Sequence, residues 1–144
     1  MINFAWTGDH ELGHADIDAQ HMRMFLLAQR VVDSLVEKSC GKVAVGAEEL
    51  QALIDFTGEH FAFEEDLMRS SGYPGAGWHA KYHASLLVEL ETYCRKVQRS
   101  HISNAVVLVK YLFDWLHQHI DTVDRELVVW LSDRMNPTGV GDET

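Results

Sequence analysis

Apolar residues recur at helical spacing in four stretches of the chain. The first predicts a helix from a cap at Asp16 or Asp18 to about Lys38, with Ile17, Met24, Phe25, Ala28, Val32 and Leu35 on one face. A second, from about Val45 to Ser70, carries Leu53, Phe56, Phe63 and Leu67. A third, from about Ala76 to Gln98, carries Leu86, Leu87, Leu90, Cys94 and Val97. The fourth, from about Asn104 to Asp133, carries Leu108, Leu112, Trp115, Leu116, Val123 and Leu127. Breakers separate them: Ser39 to Lys42, the glycine-rich SSGYPGAG over 70–77, and Ser100 to Ser103. Four amphipathic helices joined by short turns predict an all-α fold, an up-down-up-down antiparallel four-helix bundle over about 18–133. Residues 1–17 are expected to form an irregular arm pinned by Phe4 and Trp6, and 134–144 a frayed tail, the whole 1–144 making one domain.

Polar residues interrupt these apolar faces in a consistent way. His21 lies in the first stripe, His60 and Glu64 in the second, His79 and His83 in the third and His119 in the fourth. At about 100° per residue, His60 and Glu64 are about 40° apart on one face. Antiparallel succession brings the start of the first helix, the end of the second, the start of the third and the end of the fourth to one pole. All six residues fall in the halves that meet there. Glu59, Glu65 and Asp66 are expected to project elsewhere.

Composition sharpens this picture. The formal net charge is −10, which disfavours nucleic acid and anionic membrane surfaces as partners. Two cysteines, Cys40 and Cys94, are too few for a disulfide framework, and Cys94 falls on an apolar face. No apolar run is long enough for a membrane span, and MINFAWTGDHELG has no basic region followed by an apolar one, so a cytoplasmic location is expected. Nine histidines is a high count for 144 residues, and they point to metal. Five inward imidazoles with one or two carboxylates exceed a single tetrahedral zinc and suit two metals sharing carboxylate bridges. The nitrogen-rich, sulfur-free donors fit iron, manganese or zinc, and ligand type does not choose among them.

The segment WLHQHIDTVD, Trp115 to Asp124, offers two histidines and two aspartates. His119 shares the apolar face of the fourth helix, whereas His117 shares a stripe with Lys110, Asp114 and Asp121, so His119 is the inward one. His10, His14 and His101 are expected to be solvated, and so is His117. Taken with DAQH ending at His21, HFAFEEDLM from His60 to Met68, and the pair His79 and His83, this segment completes four motifs in order on four helices. Across essentially its whole length the chain resembles the hemerythrins, and among them the single-domain bacterial ones.

The resemblance implies that His79, His83 and His119 hold one iron, that His21 and His60 hold a second, and that Glu64 and Asp124 bridge the pair with an oxo or hydroxo group. It implies one open position, on the iron with only His21 and His60, where dioxygen binds reversibly. Asp124 lies five residues from His119, about 140° round an ideal helix. A π-bulge between them, at about 82° per residue, would reduce that to about 50°. Leu116, Trp115, Phe56 and Phe25 are the expected lining of a dry oxygen pocket. The expected role is oxygen carriage, storage or delivery rather than catalysis, because no further inward acid or base stands out. Two other readings are a di-iron oxidoreductase acting on peroxide, nitric oxide or ferrous iron, and an oxygen or redox sensor. The sensor needs a separate partner chain, since no fused domain is evident, and an oxygen-accepting or signalling protein is a possible partner for the carrier too.

Overall fold

The computed structural model describes residues 4–37, 47–99 and 102–135, and among them every regular element is helical. A single 3₁₀ turn, Gly8–His10, precedes α1 (Ala15–Glu37), α2 (Ala47–Ser71) and α3 (Ala76–Arg99). The fourth rod is continuous over 102–135 and has three parts: α4 (Ile102–Gln118), a π-helical segment (His119–Asp124) and α5 (Arg125–Met135). The expected turn around Cys40, His101, the tail beyond Met135, and the side chains of Leu35 and Val97 lie outside the described residues, and the last helix takes in the first two residues, 134 and 135, of the expected tail.

The fourth rod carries the expected backbone irregularity. The Arg125 N–H donates to the carbonyl of Ile120, five residues back, which is the π rather than the α pattern. The wider turn puts both His119 and Asp124 inside, at 1% and 0% exposure.

Successive rods are neighbours, α1 against α2, α2 against α3 and α3 against α4, and α4 closes the ring on α1. Cross-helix bonds show the antiparallel order: His60, late in α2, meets Gln20, early in α1, and Glu65 meets His83, early in α3. The α2–α3 corner is made by Gly72 at φ 77. Gly72 N–H donates to the Arg69 carbonyl and Tyr73 N–H to the Met68 carbonyl, at 3.4 and 3.0 Å. This pair of bonds satisfies carbonyls that the helix end would otherwise orphan, and it needs the left-handed residue that glycine supplies cheaply.

Two expectations are corrected here. Neither Asp16 nor Asp18 caps α1, which starts at Ala15; His14 Nδ1 accepts the Ile17 N–H at 3.3 Å. Asp18 instead reaches back to accept the Leu12 and Gly13 N–H groups, at 2.8 and 3.0 Å, tying the arm to the first turn. The buried face of α2 is also rotated from the predicted stripe: Phe61 and Met68 are buried while Phe56, Phe63 and Leu67 are half-buried. Leu50, Leu53, Thr57, Phe61, Glu64 and Met68 make a tighter three- and four-residue spacing, and that face wins.

The arm is held as its aromatics suggested. Phe4 is buried, its N–H donates to Gln29 Oε1 at 2.8 Å, and its ring packs edge-on against Phe25 and Phe113. The apolar interior falls into two clusters. The larger is built around Phe25, Phe61, Leu90, Leu112 and Leu116, and the smaller joins Ile17, Met68, Leu127, Val128 and Leu131. Along every rod except α3 the inward polar residues stand between the two, so they form a polar layer across the bundle. Among the described residues, no helix is long and apolar enough to cross a membrane.

Candidate metal centre

Seven buried side chains meet in that layer. Nitrogen and oxygen atoms of Glu64, His79, His83, His119 and Asp124 all lie within 4.8 Å of one another, and those of His21, His60, Glu64 and Asp124 do likewise. These are all the residues expected from the sequence, each 0% or 1% exposed.

Each carboxylate divides its two oxygens between the two groups. Glu64 Oε1 faces the Nε2 atoms of His79 and His83 at 3.5 and 3.2 Å, and Asp124 Oδ1 faces those of His79 and His119 at 3.1 Å each. On the other side, Glu64 Oε2 is 3.2 Å from His60 Nε2, and Asp124 Oδ2 is 2.8 Å from His21 Nε2. All five imidazoles therefore turn Nε2 toward carboxylate oxygens.

Two of these approaches are hydrogen bonds, His21 Nε2 with Asp124 Oδ2 and His79 Nε2 with Asp124 Oδ1. Both Glu64 oxygens and the Nε2 atoms of His60, His83 and His119 make no hydrogen bond of acceptable geometry among the described residues. Leaving a buried polar group unsatisfied costs roughly 1–3 kcal/mol. These unpaired atoms, gathered within one buried cluster, fit a cation, so the His/Glu/Asp cluster can hold metal.

Electrostatics of the chain alone show the same convergence. Burial pulls the His60 imidazole down, but the Glu64 charge and the closeness of both carboxylates overcome it and hold the pKa at about 9. Burial likewise opposes His79, and its hydrogen bond to Asp124 with the nearby Glu64 carboxylate raises it to about 9. The carboxylates move the opposite way: burial and the Asp124 charge push Glu64 up, yet the imidazoles, His60 first, hold it below its ordinary range. Asp124 is held well below, against burial, chiefly by His119. A cation would replace the protons that now compensate these two charges.

Packing aims the rings. Phe61 stacks on His83 at 3.8 Å between centroids and 5° between planes, so that the His83 Nδ1–H points to Glu65 Oε2 at 3.0 Å. Tyr82 stacks on His119 at 5.4 Å. The His60 Nδ1–H donates to Gln20 Oε1 at 2.6 Å. Sequence reasoning missed Gln20, Glu65 and Phe61; Glu65, expected to project away, turns toward α3. The signal available was chemical, because an imidazole offering Nε2 to a metal leaves an Nδ1–H that needs an acceptor.

The remaining expected residues are distributed around the centre. Leu116 and Phe25 are fully buried in the large core. Trp115 is ring-packed against His119 and Phe61, on the three-histidine side. Phe56 is half-buried with the Arg23 guanidinium over its ring at 5.3 Å. The solvated role expected for His117 and His10 is corrected. His117 is half-buried, its Nδ1–H donates to the Phe113 carbonyl at 2.8 Å, and Phe25, Phe113 and His10 surround its ring. His10 packs on Phe25 at 4.7 Å.

A helical bundle with a buried histidine and carboxylate layer is the architecture of a metal-binding four-helix protein. Residues 12–131 match the hemerythrin HHE cation-binding domain, and the chain belongs to the hemerythrin family. It is 32% identical over 121 residues to a bacteriohemerythrin of Stenotrophomonas maltophilia, covering 83% of this chain and 76% of that one. It is 32% identical to a myohemerythrin of Sipunculus nudus, covering 84% and 88%. A bacteriohemerythrin of Ralstonia nicotianae is 30% identical over 90% of this chain and 89% of its own.

Proposed function

We propose that the chain binds dioxygen reversibly at two non-haem irons, for oxygen carriage, storage or delivery. The observation that carries this reading is the division of Glu64 and Asp124, each with one oxygen on the side of His79, His83 and His119 and one on the side of His21 and His60. His79, His83 and His119 would hold one iron and His21 and His60 the other, with Glu64, Asp124 and a solvent-derived oxo or hydroxo group between them. When bound, the iron pair supplies the electrons that dioxygen takes on binding and returns on release.

The residues of the chain do the rest. The His21 and His60 side has one imidazole fewer, which leaves room there for an outside ligand. Leu116 and Phe25, both buried, would exclude water from that side and so suppress proton delivery to bound dioxygen. Phe56 is only half-buried and Trp115 packs against His119, so they would contribute less to the lining. The family match over 12–131 supports reading 1–144 as one hemerythrin-like domain. A cytoplasmic setting belongs to this reading too, with Cys94 a buried free thiol.

The test is stopped-flow mixing of the anaerobic diferrous protein with dioxygen. A coloured adduct that evacuation reverses supports the proposal. Immediate release of hydrogen peroxide, or sustained turnover of peroxide, nitric oxide or ferrous iron, overturns it in favour of an oxidoreductase.

A further inference from the structure

The two halves of the metal centre differ in what stands behind the histidines. Of the five imidazoles, His21, His79 and His119 have an Nδ1 with no hydrogen-bond partner among the described residues. The other two divide one to each half. His83, in the three-histidine half, donates to the carboxylate of Glu65 at 3.0 Å, and His60, in the two-histidine half, donates to the amide oxygen of Gln20 at 2.6 Å. Both bonds cross between helices, so neither acceptor follows from the local helix of its histidine. Charge is the difference: Glu65 is an anion, half-buried, and Gln20 is neutral.

A hydrogen bond from Nδ1 fixes the ring and leaves Nε2 as the lone pair, and an anionic acceptor pulls on the Nδ1 proton and makes Nε2 a stronger donor. The stacking of Phe61 on His83 holds the ring plane in which this works. We infer that Glu65 and Gln20 are positioning residues that make the two half-sites unequal, so that the first divalent cation enters the His79, His83 and His119 half and is held there more firmly. The inference rests on the two-metal reading above, but concerns cation affinity rather than dioxygen.

Metal-free full-length protein titrated anaerobically with cobalt(II), followed by the visible bands of the histidine-bound ion and by chelator competition, resolves the two steps. Wild type is expected to bind two equivalents in unequal steps. Glu65→Gln keeps an oxygen acceptor but removes the charge, and it should weaken the tight step roughly ten- to a hundredfold while leaving the weak step in place. Gln20→Glu should tighten the weak step by a similar factor, an outcome that loss of packing cannot produce. Circular dichroism checks the fold of each variant, and either variant decides the matter alone if the other fails to fold.

Equal steps in wild type, a tight step that Glu65→Gln shifts by less than about twofold, or a weak step that Gln20→Glu leaves unchanged or loosens would each overturn the inference. Unmoved steps in a protein whose ferrous form still binds dioxygen reversibly sink this inference alone. Shifted steps in a protein that forms no dioxygen adduct sink the proposed function alone.

Discussion

At the scale of single residues, His119 and His117 carry the same functional group two positions apart and meet different fates. His119 Nε2 points at Asp124 Oδ1 at 3.1 Å, inside the polar layer. His117 commits its Nδ1–H to the Phe113 carbonyl and its ring to an aromatic group with Phe25 and His10. His119→Ala should therefore abolish at least one of the two metal equivalents and the metal-dependent near-ultraviolet absorption. His117→Ala should keep both equivalents and lose up to about 1 kcal/mol of stability, for a half-buried ring and one carbonyl bond. Metal analysis and the absorption spectrum of each variant check this, and the reverse pattern would show that the helix faces have been misassigned. The inward choice was legible because Leu108, Leu112, Trp115 and Leu116 define the face. The aromatic surroundings of His117 were not, because they come from α1 and the arm. Gln20 and Glu65 stayed hidden for a related reason: each lies beside a site residue on its own helix but serves a histidine on the next one.

Among the elements, the π-helical segment does the most to build the site. His119 and Asp124 are five positions apart, and only the wider turn brings both inside while α4 and α5 keep one continuous buried face. A π segment of this kind is an α-helix with one residue added. Removing one exposed residue of the segment, Thr122, should restore a regular helix in which the histidine and aspartate are four apart, about 40° round the face. The deletion is expected to keep two metal equivalents. Inserting one alanine after Thr122 should turn Asp124 by about 100° and lose them. Metal stoichiometry distinguishes the outcomes, and a deletion that loses metal would show that the π geometry is itself required. This element was legible from spacing once a role for Asp124 was in view. The rods themselves followed from periodicity to within a few residues, because their apolar stripes are long. Local chemistry at their ends was read less well: His14, rather than an aspartate, caps α1, since Asp18 is drawn back to the arm by two free N–H groups.

For the whole molecule, the polar layer separating two apolar clusters makes stability depend on what balances Glu64 and Asp124. Without metal the balance is protonic. His60 and His79 have pKa values of about 9 in the folded chain, above the ordinary 6.5. A group raised on folding binds its proton more tightly in the native state, so its contribution is fully present below about 6.5 and is lost as pH rises through about 9. Glu64 and Asp124 are lowered on folding, so their contribution is present above the ordinary carboxylate range and is lost on acidification. The thermal midpoint of the chelated protein should thus be highest near pH 5–6.5 and fall between about pH 6.5 and 9.5. With metal the imidazoles must be neutral to bind, and the dependence over that window should flatten or reverse. A cation at a thousand times its Kd adds about 4 kcal/mol per site, enough to dominate the protonic contribution at high pH. Thermal melts across this pH range, with and without metal, read the difference directly. Parallel curves for the two forms would mean that the five imidazoles are not where the cation binds.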